Sequence, residues 1–284
     1  MPTIADKRRA FRKLHDTGCF VLPNPWDIGS ACYLQHLGYK ALATTSAGFA
    51  FTRALPDGGV PRDMMLAHIR EIVEATDLPV NADFGEGFAH DPAGVAESVR
   101  LCGETSVAGL SVEDATGDGG EPLYDLDTAV ERMRSARAAI DKAGGDVLLV
   151  GRCECFLVGK PDIAETVARL KAYSSAGADC LYAPGIRTRE EVAAVVEAAA
   201  PKPVSSGLMS GTTERGVAPI RPALPMFMRP IARRSGRSPI SPGSAAEALL
   251  IIASSSRCPK PNARRRSRSG LEPCASIGGS RTTN

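Results

Sequence analysis

The chain has 284 residues, a formal net charge of +2, 43% hydrophobic residues and eight cysteines. That length suits one β/α barrel of about 250 residues, and the apolar fraction is ordinary for a globular protein. No apolar run approaches the ~18 residues of a membrane span, the charged start 1–12 has no signal-peptide core, and the cysteines form no C-x-x-C pair. A membrane protein and a disulfide scaffold are therefore set aside, and a soluble cytoplasmic enzyme with free thiols is expected.

In chain order, the spacing predicts a helix over 4–17 closed by Gly18, a strand over 19–22, a rigid turn at Pro23-Asn24-Pro25, and a helix to 37 stopped by Gly38. A second strand, 41–44, runs into a hydroxyl-and-glycine loop, Thr45-Ser46-Ala47-Gly48. Leu55-Pro56-Asp57-Gly58-Gly59 then leads to a helix over 62–76. Leu78-Pro79-Val80-Asn81-Ala82-Asp83 ends abruptly in an acid followed by Gly85 and Gly87, the pattern of a buried strand that delivers a carboxylate into a tight loop. Asp91-Pro92 has the chemistry of a helix start, and that helix reaches 102. A strand over 107–112 delivers Glu113 and Asp114, a helix covers 126–143, and a strand over 147–151 delivers Arg152, Cys153 and Glu154. A helix over 162–176, a strand over 180–183, a helix over 189–200 and the beginning of a seventh strand at Pro203-Val204 complete the regular part.

Parallel strands closed into a β/α barrel bring all their C-terminal ends to one face, where such barrels keep their chemistry. The expected fold is thus α/β, a (β/α)8 barrel of TIM type. Ser46, Asp83, Glu113 and Arg152 would converge on one pocket. Each residue also has an ordinary reading: Asp83 and Asp57 as turn formers before glycine, Glu113 and Arg152 as an inter-strand ion pair. Cys153 and Cys155 flank Glu154, but no histidine stands beside them to activate a thiol. Gly85-Glu86-Gly87 with His90 at the last glycine position is no dinucleotide loop, and Gly159-Lys160-Pro161 lacks the hydroxyl residue of a phosphate loop. His15, His36, His68 and His90 are read as surface groups.

After 204 the pattern stops. The first 204 residues hold 21 basic and 29 acidic residues, the remaining 80 hold 13 and 3, and the latter are rich in Pro, Ser, Arg and Gly. The domain reading is a barrel over 1–204 and an aberrant basic tail over 205–284 in place of the last one to two β/α units. Three accounts of the tail stand side by side: an out-of-frame translation of a GC-rich gene, a disordered appendage, and a nucleic-acid-binding arm, the last disfavoured. The apolar stretch 245–253 is too short for two β/α units, so an open edge is expected at the seventh strand.

Ser46-Ala47-Gly48, Leu55-Pro56-Asp57, Val80-Asn81-Ala82-Asp83 with Gly85 and Gly87, Ser111-Val112-Glu113-Asp114 and Gly151-Arg152-Cys153-Glu154 resemble, in order, the strand-end motifs of the isocitrate lyase and phosphoenolpyruvate mutase superfamily. The resemblance covers about 9–204. It implies a Mg²⁺-dependent lyase or phosphonomutase-like enzyme acting at a C–C or P–C bond next to a 2-oxo acid or enolpyruvyl group. It also implies Asp83 and Glu113 at the metal; Ser46, Ala47, Gly48 and Arg152 on a small carboxylate or phosphonate substrate; and Asp57, Arg152 and Glu154 as catalytic groups. A homo-oligomer is the family habit, with C-terminal helices exchanged between subunits, which this tail does not provide. Two departures narrow the activity: Asn81 replaces the first acid of the usual Asp-x-Asp pair, and Ala115 to Glu121 replaces the Lys-Lys-Cys-Gly-His segment of the lyases. The chain is thereby similar to the less characterised branch of the superfamily. A non-catalytic remnant, or a protein that binds an acidic metabolite without turnover, are the alternatives.

Overall fold

The computed structural model describes residues 2–207 and 249–253. In order they form α1 (Ile4–Asp16), β1 (Cys19–Pro23), α2 (Ile28–His36), β2 (Leu42–Ala43), α3 (Ser46–Thr52), α4 (Arg62–Ala75), β3 (Val80–Asp83), α5 (Pro92–Gly103), β4 (Gly109–Glu113), α6 (Leu126–Lys142), β5 (Leu148–Arg152), α7 (Ile163–Ser175), β6 (Cys180–Tyr182), α8 (Arg189–Ala199), β7 (Val204–Gly207) and β8 (Leu249–Ala253). Local chemistry sets the helix starts. Thr3, Asp27, Thr45, Asp91, Asp125, Asp162 and Thr188 each accept a backbone N–H of the first turn, which satisfies donors that a helix leaves open. Gly38, at φ 85°, ends the α2 turn in a conformation that costs other residues a steric clash.

The strands form one eight-stranded sheet in the order β1-β8-β7-β6-β5-β4-β3-β2. From β2 to β7 every pair is parallel, as helical crossovers require. The sheet curls until β1 returns beside β2, where Asn24 Nδ2 donates to Ala43 O at 3.0 Å. One expectation is overturned here. The outer edge of β7 is not open, because β8 pairs antiparallel with both β7 and β1. Residues 249–253 thus take the place of a last barrel strand but run in the opposite direction, something an apolar pattern cannot reveal because it carries no direction. The seventh strand also continues through Gly207. The remainder of the predicted tail, 208–248 and 254–284, lies outside the described residues.

Alternation along the strands divides the core in two. One set, Phe11, Leu22, Ala43, Leu148, Val150, Cys180 and Tyr182 among them, packs inside the curl with α1. The other, including Leu42, Val80, Ala82, Leu110, Val112, Leu149 and Leu181, packs under the surrounding helices. Gly109 is where the inner set is tightest: a Cβ there would lie 2.7 Å from both Asn81 Oδ1 and Phe11 Cε1 and 3.2 Å from Leu148 O. Gly109→Ala is therefore expected to destabilise the fold by about 1–3 kcal/mol through overpacking, read as a lower urea midpoint at unchanged slope.

Two histidines expected at the surface are buried. His15 donates from Nδ1 to Phe11 O at 2.8 Å and packs edge-on against Phe11 and Phe20. His68 belongs to the apolar stripe of α4 with Met65, Ile69 and Ile72, and its ring stacks on Phe49 at 3.7 Å. The 3.6-residue period contained this information; residue type argued the other way. Burial first, then the charge of Arg53, pushes the His68 pKa down to about 4, against a smaller opposing effect of Asp27. A folded pKa below the unfolded ~6.5 means that the neutral ring's contribution is complete above pH 6.5 and is lost as pH falls through 4. Between pH 7 and pH 5 the wild type should lose about 2 kcal/mol more than His68→Leu in urea unfolding.

Candidate active site

β3, β4 and β5 lie side by side in parallel, and their register sets Asp83 opposite Ser111 and Glu113 opposite Arg152. Residues 148 and 150 belong to the inner packing set, so the two-residue period turns Arg152 inward as well, and Asp83 and Glu113 meet it there. Arg152 Nη1 is 3.3 Å from Asp83 Oδ1, its Nε is 3.4 Å from Glu113 Oε2, and Nε also donates to Glu154 Oε1. The guanidinium carbon lies 5.3 Å from the Tyr182 ring centroid, within cation–π range. These side chains are only 6–18% exposed, so their charges are weakly screened. Arg152 had been expected to grip a substrate carboxylate. The group is already fixed in place, through Nε by Glu154 and through Nη1 by Asp83.

The Ser46 segment differs from its expected form. It is no open loop but the first turn of α3, capped by Thr45, whose Oγ1 accepts the Gly48 N–H at 3.1 Å. Ser46 gives both its N–H (2.9 Å) and its Oγ–H (2.8 Å) to Asp83 Oδ2. The Gly48 position is small for a packing reason, since a Cβ would stand 2.5 Å from Thr45 Cγ2 and 3.3 Å from Trp26 Cβ. Of the N–H groups of Ser46, Ala47 and Gly48, that of Ala47 has no acceptor among the described residues. Asp57 sits in the turn before α4, accepting the Gly58 N–H at 3.0 Å. Although the residue is exposed, its carboxyl is crowded enough to feel Ser46 and the charges of Asp83 and Arg152.

Several supporting residues were not singled out from the sequence. Thr44 Oγ1 accepts the Asp83 N–H at 2.9 Å. Asp114, one residue past Glu113 and therefore facing the helices, accepts the Glu154 N–H at 2.8 Å through one oxygen, and Tyr173 Oη (2.5 Å) and Arg169 Nη1 (3.2 Å) through the other. Arg132, 1% exposed, donates to the carbonyls of Glu86, Ala89 and His90 and so fixes the loop that follows Asp83. A signal was available: Arg132 lies in the stripe of Ala129, Met133 and Ala136, and Arg169 in that of Thr166, Leu170 and Tyr173. An arginine on a buried stripe must find acceptors inside the protein.

Four carboxyls, Asp57, Asp83, Glu113 and Glu154, thus gather around one guanidinium. Burial, opposed by Arg152 and reinforced by the charges of Glu154, Asp83 and Glu86, pushes the Glu113 carboxyl well above its ordinary range. The crowding that keeps water from its carboxyl, and then the charge of Asp83, raise that of Asp57. For Arg152, burial alone would favour the neutral form, but Glu154, Glu113 and Asp83 more than offset it and keep the group charged. The surplus of negative charge fits a bound cation, and the available donors are all oxygens. Among the described residues no group of three or more His, Cys, Asp or Glu side chains is arranged to hold a metal ion by itself; Mg²⁺ would need only one or two carboxylates, its shell completed by water and substrate. Asn81 lies one inward step below Asp83, 4% exposed, its Oδ1 without a protein hydrogen-bond partner among the described residues. An aspartate there would be a second, deeper uncompensated charge.

Arg152, Asp83, Glu113 and Glu154 thus form one tier of charged side chains at the C-terminal ends of parallel strands, the face where β/α barrels keep their chemistry. Residues 11–220 match the family model for phosphoenolpyruvate phosphomutase, and the chain belongs to that family, within the isocitrate lyase and phosphoenolpyruvate mutase superfamily. A lyase/mutase-type protein from Burkholderia cenocepacia J2315 is 45% identical, with a TM-score of 0.71 and 76% of each chain covered. A 2,3-dimethylmalate lyase of the same superfamily is 30% identical, with a TM-score of 0.68 over 77% of this chain and 76% of its own. The oxaloacetate decarboxylase of Paraburkholderia xenovorans (strain LB400) is 28% identical over 208 residues, 68% of this chain and 66% of that protein. No helix of the described residues is long and apolar enough to cross a membrane.

Proposed function

We propose that the protein is a Mg²⁺-dependent lyase that breaks, or in reverse forms, a C–C bond next to a 2-oxo acid, with P–C chemistry on an enolpyruvyl compound as the related alternative. The observation that supports this most is the inward tier of Asp83, Glu113 and Arg152 with Ser46 bonded to Asp83, a site with surplus negative charge, oxygen donors and one fixed cation. The lyase and decarboxylase relatives point the same way.

Asp83 and Glu113 would hold the ion, directly or through water. When bound, Mg²⁺ supplies Lewis-acid charge beside substrate oxygens that become more negative as the bond breaks. The remaining work falls to the chain itself. Arg152 offers its guanidinium to a substrate carboxylate while Asp83 and Glu113 fix its plane. Glu154, turned onto Nε and anchored through its amide by Asp114, acts through Arg152 as a positioning residue. The Ala47 N–H can receive a second substrate oxygen. Asp57, whose carboxyl keeps its proton to higher pH than an ordinary aspartate, can deliver that proton to the carbon left negative after cleavage.

The test is a panel of 2-oxo acids and 2-alkylmalates, oxaloacetate included, followed by proton NMR with Mg²⁺ and with a chelator. Consumption of one substrate with Mg²⁺ and none with chelator is expected. Binding without any turnover across the panel would favour a metabolite-binding protein.

A further inference from the structure

The two thiols of Cys153-Glu154-Cys155 are left unused by the reading above. Both thiols are buried, at 1% exposure each, and Cys153 Sγ donates to Cys155 Sγ at 3.5 Å. They face each other because the chain leaves β5 and folds at once into a turn, in which the N–H groups of Leu157 and Val158 bond to Glu154 O at 2.9 and 3.0 Å and that of Lys160 to Cys155 O at 2.9 Å. Cys155 also lines a cleft of about 680 Å³ between the loops after β4 and β5, together with Tyr124, Lys160 and Arg169. A small oxidant therefore has a path to one sulfur, and the second sulfur is in contact with the first.

We propose that Cys153 and Cys155 are an oxidisable dithiol, which hydrogen peroxide converts into a disulfide spanning Glu154. The Cys155 sulfur attacks the peroxide, its S–O bond forms as the O–O bond breaks, and water leaves. Cys153 then attacks the resulting sulfenic sulfur, the S–S bond forms, the S–O bond breaks, and a second water leaves. Two thiols are oxidised and one peroxide is reduced to two waters. The order of attack follows the surroundings: the S–H of Cys153, then Thr166 and Arg169, hold the Cys155 thiol below its ordinary range against the effect of burial, whereas Cys153, the donor of the pair, is pushed up.

Closing the sulfurs from 3.5 Å to the ~2.05 Å of a covalent bond brings them about 1.5 Å nearer each other and constrains the turn that carries them. Glu154 lies inside the ring so formed. Its side chain pairs with Arg152 and its amide with Asp114, so oxidation is transmitted to the arginine of the site. This last consequence rests on the function proposed above; formation of the disulfide does not.

The experiment treats the folded, full-length protein, freed of reductant, with hydrogen peroxide, alkylates it after denaturation and maps the cysteines by mass spectrometry. The peptide carrying both residues should be two hydrogens lighter, unalkylated at both positions, and restored by dithiothreitol. Alkylation of both residues under conditions that oxidise the exposed Cys19 and Cys32 would overturn the proposal, as would a bond from Cys155 to any other cysteine. In Cys153→Ser the reaction should stop at a sulfenic acid on Cys155 that dimedone traps; no adduct would overturn the assigned order. Melting with Mg²⁺ and oxalate reads the coupling: oxidised protein should lose any oxalate-induced rise and regain it on reduction. An undiminished rise in fully oxidised protein would overturn the link to Arg152. No rise in reduced protein would count against the proposed function, with the disulfide still decided by mass.

Discussion

Arg152→Lys is expected to lower turnover by at least about 100-fold while leaving a folded protein, the scale associated with misplacing a binding group by about 1 Å. Arg152 meets Asp83 through Nη1 and Glu113 and Glu154 through Nε, which holds its guanidinium in a fixed plane. A lysine keeps the positive charge but gathers it on one nitrogen at the end of a flexible stem, so it cannot meet three acids and also hold a substrate carboxylate. The loss should fall mainly on kcat, because the substrate would still be attracted by charge but held in the wrong orientation. A variant with unchanged kcat/KM would mean that Arg152 is only a structural ion pair.

Asp83→Asn has the second largest expected effect, and of a different kind. An amide oxygen can still accept the N–H and Oγ–H of Ser46, which stand 2.9 and 2.8 Å from Asp83 Oδ2, so local structure should survive. The charge that would hold a cation is gone, and one of the charges that raise Glu113 is gone with it. Melting without ligand should change little. The stabilisation by Mg²⁺ and oxalate, about 2.7 kcal/mol for a ligand at 100 times its dissociation constant, should disappear together with metal-dependent turnover.

The parts of the fold legible in the sequence are those that depend on short-range patterns. Thr3, Asp91-Pro92 and Asp162 mark helix starts, and apolar runs ending in Asp83, Glu113 and Arg152 mark parallel strands whose ends share a face. Strand periodicity also implies that these three side chains point inward together, given that Leu148 and Val150 do. What was not legible depends on contacts between distant segments. The α3 turn is disguised by Ala47 and Gly48, which suit a loop as well as a short helix, and only the cap from Thr45 decides it. The reversed course of β8 is set by its pairing with β1 and β7. The histidine of α4 was misjudged because its place on the buried stripe outweighs its polarity. That Arg152 would be shared among three acids could not be read either, since the motifs give the charges but not their heights along the barrel.

The measurement that tests the central claim most directly is thermal unfolding of the purified wild-type protein with and without Mg²⁺ plus oxalate, a planar dianion that resembles the enolate of pyruvate, beside Asp83→Asn under the same conditions. A single cooperative transition that moves up only when metal and oxalate are both present, and only in the wild type, is the predicted result. A transition that ignores the ligands would contradict a metal and enolate site, and the absence of any cooperative transition would identify the chain as a remnant that keeps the site residues without a stable barrel.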